Sequence, residues 1–104
     1  MIEIWYSGKG VLHELRIVGH AGYAPVGEDI VCAGISAITF ALAGSLDENA
    51  DIRMDDGDVV ITSPKTDKTT ALFGMAVVGY GQHRETFPDY VTLHVHQSDG
   101  DSRE

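Results

Sequence analysis

The first eighteen residues alternate between apolar and polar side chains, which is the pattern of β-strands with one buried face. Ile2, Ile4 and Tyr6 share one face of a strand predicted over residues 2–6. Residues 7–10, Ser-Gly-Lys-Gly, are typical of a turn. The second alternating run, residues 12–18, is therefore predicted to pair back on the first as a hairpin.

The pattern changes after residue 29, where apolar positions become almost continuous as far as residue 46. Asp29 is a favourable N-cap, because its carboxylate can accept hydrogen bonds from the free amides of a first helical turn. A helix over residues 30–46 that is apolar nearly all round must be covered on more than one side. We expect the sheet to cover one side, and a second helix or a second subunit to cover the other.

The second half of the chain predicts two more strands, a second helix and a last strand. Strands over residues 51–54 and 59–62 flank an acidic turn, residues 55–58. Apolar side chains recur at helical spacing over residues 68–87, and a proline then ends the pattern. A final alternating run predicts a strand over residues 91–95.

The predicted order of elements is ββαββαβ. Two helices grouped against a mainly antiparallel sheet form an α+β, two-layer domain. Glycines such as Gly79 weaken the second helix by propensity, but they would let it pack closely on the first. Residues 1–97 are predicted to form this single domain, and residues 98–104 an acidic, disordered tail.

Charge and composition narrow the function. The chain has 104 residues, which fits one domain, and a formal net charge of −9. Such an acidic surface repels nucleic acid, so no direct nucleic-acid binding is expected. It is complementary to a basic partner. The alternative is that the negative charge only keeps the protein soluble. No apolar run approaches the ~18 residues of a membrane-spanning helix, and the N-terminus lacks the features of a signal peptide. With one cysteine, which cannot form an internal disulfide, these features favour the reducing cytoplasm.

The cysteine lies where a helix would favour its thiolate. With Asp29 as N-cap, Cys32 takes the third helical position, close to the first-turn amides and the positive end of the helix dipole. His20 ends the second strand, and the loop that follows can return it to the start of the helix. A Cys32–His20 dyad would supply a nucleophile and its general base, and would form a thioester acyl-enzyme. The alternative for Cys32 is a small buried side chain without a catalytic role, and that for His20 is a side chain that hydrogen-bonds only to the loop backbone.

Other residues nearby could support such a dyad. Asp29 could orient His20 or serve only as the N-cap. Ser36, one turn after Cys32, could hydrogen-bond near the dyad or back to the Cys32 carbonyl. The backbone amides of Cys32 and Ala33 would stabilise an oxyanion.

The loop over residues 21–28 could cover this site. Gly22 and Gly27 flank it, and with Tyr23 they form a candidate substrate loop, a lid that accepts an extended peptide. The alternative is a turn-rich connection without such a role.

Two further groups of residues suggest metal ions only weakly. His94 and His96 lie on one face of the last strand, but no spacing nearby completes a tetrahedral site. Residues 55–58, Asp-Asp-Gly-Asp, resemble a calcium loop in composition only and lack its downstream Glu, so a hairpin turn is favoured. We expect no metal and no cofactor, since nucleotide-binding motifs are also missing from the sequence.

The residues around the dyad resemble a family signature. The segments GHAGYA (19–24), GEDIVCA (27–33) and SA (36–37) look like the signature of the bacterial ribosomal-processing cysteine proteases, the Prp family. A looser likeness at Gly57 and over residues 87–91 extends the resemblance over nearly the whole chain.

The resemblance implies a specific activity. Members of the family are small homodimers that remove an N-terminal extension from a large-subunit ribosomal protein, cutting after an aromatic residue. The resemblance assigns the catalytic histidine to His20 and the nucleophile to Cys32. It assigns the family's Asp and Ser to Asp29 and Ser36, and its mobile loop to residues 21–28. The alternative function is a non-enzymatic module that binds a basic ribosomal protein or an assembly intermediate.

Overall fold

The computed structural model describes residues 1–25 and 27–96, and the predicted acidic tail lies outside these residues. The strands and helices follow the predicted order ββαββαβ. Their bounds are β1 (Ile2–Ser7), β2 (Leu12–Val18), α1 (Ile30–Ser45), β3 (Asp51–Asp55), β4 (Asp58–Pro64), α2 (Asp67–Thr86) and β5 (Val91–His96). Each predicted element is therefore present, with ends that move by one or two residues, as helix and strand ends commonly do.

The five strands form one sheet in the order β3-β4-β2-β1-β5. The pairs β1–β2, β2–β4 and β3–β4 are antiparallel, whereas β1 and β5 run parallel, with Ile2 opposite Val91. The parallel pair arises because α2 carries the chain back across the sheet before β5 begins, the kind of crossover that parallel strands require. The predicted α+β, mainly antiparallel architecture is confirmed.

The core lies between one face of the sheet and the two helices. The alternation read from the sequence holds: Ile2, Ile4 and Tyr6 are buried, and their neighbours in β1 face outward. Fully buried side chains from both layers meet there: Ile4, Leu15, Ile61, Val31, Leu42, Phe73 and Tyr80. Burying a large apolar side chain contributes about 1.5–3 kcal/mol, so this cluster accounts for much of the stability of the fold.

The two helices approach closely at glycines. A side chain at Gly79 would place its Cβ 2.8 Å from Ile38, and one at Gly34 would collide with the ring of His83. A second helix or a second subunit was expected on this side of α1, and in the structure the second helix packs there. Ile30 and Phe40 nevertheless remain 56% and 64% exposed, so α1 keeps an uncovered apolar surface.

His13 is a buried polar member of the core. It is 2% exposed, its Nδ1 lies 2.7 Å from the Tyr6 hydroxyl, and its ring stacks on Phe73 at a centroid distance of 4.5 Å. Desolvation and the nearby Lys65 ammonium lower the pKa of His13 below its usual 6.5, so the imidazole is neutral in the folded protein at neutral pH.

Candidate active site

The site is built where β2 ends and α1 begins. Gly19 follows β2 with a φ of +97°, and a Cβ there would lie 2.4 Å from the Met1 carbonyl oxygen. Only glycine meets both conditions without strain. This sharp exit from the strand directs the next residue, His20, toward the start of α1.

Cys32 lies in the first turn of α1 and is half-buried. Its Sγ accepts a hydrogen bond from the backbone amide of Ala21 at 3.2 Å. An amide donor and the positive end of the helix dipole thus both lie at the sulfur. Within the described part of the chain, no hydrogen bond joins Cys32 Sγ to His20, although both side chains line the same cavities. Catalytic hydrogen bonds are often long in the free enzyme and shorten when substrate binds.

Asp29 caps α1 and also ties the loop to it. Its Oδ1 accepts from the amides of Val31 and Cys32, and its Oδ2 accepts from the amide of Tyr23, each at 3.0 Å. Desolvation would raise the pKa of this carboxyl, but the backbone amides that donate to it, led by that of Cys32, outweigh desolvation and lower the pKa. The structure therefore shows Asp29 as the N-cap of α1. Among the described residues, no hydrogen bond joins Asp29 to His20.

The acidic partner of His20 comes from the turn between β3 and β4. His20 Nε2 lies 3.6 Å from Asp56 Oδ1, and a Cβ at Gly57 would lie 2.9 Å from the same nitrogen. Sequence reasoning assigned this turn only to a hairpin and missed its contact with His20. The run Asp-Asp-Gly-Asp was visible, but only the sheet order brings β4 beside β2 and so places the turn at the site.

Two cavities meet at the Cys32 and His20 side chains. One, of about 350 Å³, is lined by apolar residues of α1 and the sheet, including Phe40 and Met54, and by the acidic turn between β3 and β4. The other, of about 720 Å³, lies under the loop that leads into α1. Ser36 lines both cavities, and no hydrogen bond to the Cys32 carbonyl is found for it among the described residues. An extended ligand could thus cross the sulfur from one cavity to the other.

The two amides predicted to stabilise an oxyanion are engaged within the helix start. The Cys32 amide donates to Asp29 Oδ1 at 3.0 Å, and the Ala33 amide donates to the Asp29 carbonyl at 3.0 Å. Either could reach an oxyanion only by sharing or giving up these bonds, so their catalytic role stays a prediction. The Ala21 amide, in contrast, already donates to Cys32 Sγ.

The candidate substrate loop is held by its tyrosine. Gly22 and Gly27 have φ values of +71° and +91°, the left-handed region that glycine adopts readily. The ring of Tyr23 meets those of Phe87 and Tyr90 edge to face, at centroid distances of 5.6 and 5.2 Å. One end of the loop is therefore packed against the end of α2, while Gly22 and Gly27 border the larger cavity.

The histidines of β5 lie away from this site. His94 stacks on Trp5 at a centroid distance of 5.6 Å, on the sheet face that the helices leave open. Within residues 1–25 and 27–96, no three of the His, Cys, Asp and Glu side chains are grouped as metal ligands. In the same ranges, neither helix combines the length and apolarity that crossing a membrane requires.

Comparison with known proteins identifies the family. The model of the family "Cysteine protease Prp" matches residues 1–92. The chain belongs to the Prp family. Its sequence is 37% identical, over 59 residues, to the ribosomal processing cysteine protease Prp of Staphylococcus aureus strain Mu50, and the same match is found with strain NCTC 8325. This alignment covers 53% of the chain and 56% of the relative, so it spans little more than half the length of the curated proteins it matches.

Solved structures extend the likeness over the whole fold. The essential ribosomal processing protease Prp from S. aureus, in complex with a covalently linked product peptide, has a TM-score of 0.80 at 26% identity, covering 91% of this chain and 99% of that one. The same protease in complex with a substrate peptide has a TM-score of 0.76 at 27% identity, with the same coverage. The family resemblance seen in the sequence is confirmed, and the architecture of the chain is that of Prp.

Proposed function

We propose that the chain is a cysteine endopeptidase that removes the N-terminal extension of a large-subunit ribosomal protein. The observation that carries this proposal is the hydrogen bond from the Ala21 amide to Cys32 Sγ at the start of α1, beside His20. A sulfur that only fills space in a core needs neither an amide donor nor a cavity on each side. Membership of the Prp family supports the same activity.

In the proposed reaction, the two side chains act in turn. His20 takes the proton of the Cys32 thiol, and the thiolate attacks the carbonyl carbon of the scissile bond. When the tetrahedral intermediate collapses, the C–N bond breaks and His20 returns the proton to the leaving amine. Water, deprotonated by His20, then hydrolyses the thioester and releases the new carboxyl end with the regenerated thiol.

The remaining site residues take supporting roles in this proposal. Asp29 holds the helix start in position, and Ser36 can hydrogen-bond to substrate where the two cavities join. The amides of Cys32 and Ala33 are proposed oxyanion donors, released from Asp29 when substrate binds. Gly22, Tyr23 and Gly27 form the loop that covers the extended peptide.

The substrate class is supported by charge and by the relatives. The S. aureus protein is described as a ribosomal processing protease and has been solved with a substrate peptide. A chain with a formal net charge of −9 is complementary to ribosomal proteins, which are basic because they bind RNA. We place the enzyme in the cytoplasm, where ribosomal proteins are made, and propose that it uses no metal and no cofactor and binds no nucleic acid directly.

Mass spectrometry of the precursor ribosomal protein tests the proposal. The precursor from the same organism is incubated with the wild type, with Cys32→Ala and with His20→Ala. We expect one N-terminal cut by the wild type, none by Cys32→Ala, and a rate at least ~100-fold lower for His20→Ala, the usual minimum loss for a missing general base. His94→Ala is the matched control, because His94 lies on the opposite face of the sheet, and it should cut at the wild-type rate.

The main alternative is a module that binds a basic ribosomal protein or an assembly intermediate without cutting it. Binding of the precursor by the wild type and Cys32→Ala with no cleavage by either would favour that alternative. Iodoacetamide kinetics separates the two independently. An alkylation rate at Cys32 that stays high well below the free-thiol pKa of ~8.5 supports a nucleophile.

A homodimer is part of the proposal. The exposed apolar side chains of the helices, Ile30 and Phe40 on α1 and Met75 and Val78 on α2, offer a surface for a second copy. We expect light scattering at micromolar concentration to give twice the mass of the 11.2 kDa chain. A monomer under those conditions would contradict this part of the proposal.

A further inference from the structure

The turn between β3 and β4 contacts the dyad histidine in a way that no assignment above explains. The Asp56 carboxylate lies 3.6 Å from His20 Nε2, and it lines both cavities that meet at Cys32. Asp29, the acid that the sequence suggested for orienting His20, is instead occupied by backbone amides. The histidine therefore has a carboxylate partner, and that partner comes from the sheet.

The turn is fixed beside the histidine by the backbone. The Gly19 amide donates to the Gly57 carbonyl at 2.9 Å, which joins the residue before His20 to the residue after Asp56. Gly57 has a φ of +76°, and a Cβ there would lie 2.9 Å from His20 Nε2. The His20 ring thus packs directly against Gly57, where a larger residue would not fit, and the Asp56 carboxylate lies beside the ring.

The other two acids of the turn are already paired. Arg53 Nη1 lies 2.9 Å from Asp55 and 3.3 Å from Asp58, and Arg16 lies 3.7 Å from Asp58. Asp56 is paired with neither arginine, and it is the acid of the turn that reaches the imidazole. The arrangement separates the charge that faces His20 from the charges that stabilise the hairpin.

We propose that Asp56 is a positioning residue of the active site: its carboxylate, 3.6 Å from His20 Nε2 in the free protein, moves closer when substrate binds, accepts a hydrogen bond from Nε2–H and so fixes the tautomer and the orientation of the ring. With the proton on Nε2, the lone pair of Nδ1 is free to take the proton of the Cys32 thiol. The carboxylate also stabilises the imidazolium that this transfer creates. The inference rests on the proposed function, because it assigns Asp56 a role in that reaction.

The expected effect is modest because both side chains are exposed, by 61% for His20 and 95% for Asp56. Water and salt screen an exposed charge pair at this distance, so removing the carboxylate charge should slow the reaction a few-fold without abolishing it. Other charged or titratable groups surround His20 within the described residues. They are Asp55 and Asp58 on the turn, Cys32 on α1, Glu28 and Asp29 just before it, and the Met1 ammonium, which donates to the His20 carbonyl at 2.6 Å.

Asp56→Asn tests the proposal, with Asp56→Glu as the conservative variant and Asp51→Asn as the matched control on the same hairpin. The tautomer of His20 is measured by NMR from the nitrogen-15 chemical shifts of the two ring nitrogens of the neutral imidazole, and kcat and KM are measured for the precursor. In Asp56→Asn we expect the fraction of the ring that carries its proton on Nε2 to fall, because the charged acceptor is gone. We expect kcat to fall roughly threefold to fivefold, the range of an exposed ion pair, with little change in KM. Asp56→Glu should recover most of this, and Asp51→Asn should match the wild type.

The two readouts separate this inference from the proposed function. If the wild type fails to cut the precursor, the endopeptidase proposal fails, while NMR still reports whether Asp56 fixes the tautomer of His20. An unchanged His20 tautomer in Asp56→Asn, or an equal change in Asp51→Asn, would overturn the positioning role whatever the activity. A loss of kcat with an unchanged tautomer would also overturn it, because a purely structural defect lowers the rate without moving the proton between the ring nitrogens.

Discussion

Asp29 offers the sharpest test of how the helix start is held, because its two carboxylate oxygens do different things. Oδ1 accepts from two helix amides, those of Val31 and Cys32, and Oδ2 accepts from the loop amide of Tyr23. Asp29→Ala removes all three bonds, whereas Asp29→Asn keeps one acceptor oxygen and can still cap the helix. The pair of variants therefore separates capping from loop attachment.

The magnitudes follow from the bonds lost. Replacing an N-cap by alanine costs about 1 kcal/mol, and losing an exposed hydrogen bond to the loop costs about 0.5 kcal/mol. We expect Asp29→Ala to lower the free energy of unfolding by about 1.5 kcal/mol, which for a chain of this size lowers Tm by about 6–12 °C. Asn is as good an N-cap as Asp, so Asp29→Asn should lose only about 0.5 kcal/mol.

Urea unfolding followed by circular dichroism measures both values. A slope of about 1.5 kcal/mol per molar turns the loss in Asp29→Ala into a midpoint shift of about 1 M. Equal losses in the two variants, or no loss in Asp29→Ala, would refute this account of the cap. The pH dependence gives a second check. Because the pKa of Asp29 is lowered from 3.8 in the folded state, its contribution is full above that value and is lost as the pH falls through the lowered pKa.

Two further predictions concern the parts of the fold that hold the site. The pKa of His13 is lowered from 6.5 in the folded state, so below pH 6.5 the unfolded chain binds a proton at His13 more readily than the folded chain does. The free energy of unfolding should therefore be greatest above pH 6.5 and fall as the pH decreases below it. Urea unfolding at pH 7.5 and 5.5 should show this decline in the wild type, and a smaller decline in His13→Leu. Gly19→Ala should cost at least about 2 kcal/mol in thermal unfolding, because the new Cβ would lie 2.4 Å from a backbone oxygen at a φ of +97°. A Gly19→Ala variant as stable as the wild type would show that the strand exit can relax.

The elements of the fold could be predicted because each depends on local pattern. Alternation in β1 and β2, the Asp29 cap and the continuous apolar run of α1 are all short-range signals, and each corresponds to the observed element. His20 and Cys32 could be proposed as a dyad because they flank one short loop, and the structure places both side chains at the same cavities. The sequence did not decide whether a second helix or a second subunit packs on the other side of α1. That choice depends on long-range packing, here the close approach of α1 and α2 at Gly34 and Gly79.

The partner of His20 could not be predicted from the sequence. Asp56 is 36 residues away along the chain, and it reaches the histidine because β4 pairs with β2 while β3 takes the edge of the sheet. The nearer acid, Asp29, was the natural candidate from spacing. In the structure its oxygens accept hydrogen bonds from backbone amides, the usual role of a carboxylate at the start of a helix. Strand order, a long-range property, thus decides which carboxylate meets the imidazole.

The two cavities that meet at Cys32 have a consequence for chemical inhibition. A weak thiol-directed electrophile could carry one apolar arm into the cavity of about 350 Å³ beside Phe40 and Met54, and a second, peptide-like arm into the cavity of about 720 Å³ beneath the loop. Neither arm would bind strongly alone, but both would present the same carbon to the same sulfur. Selectivity over other cellular thiols would then come from the shape on either side of the reactive atom, and not from the reactivity of the electrophile.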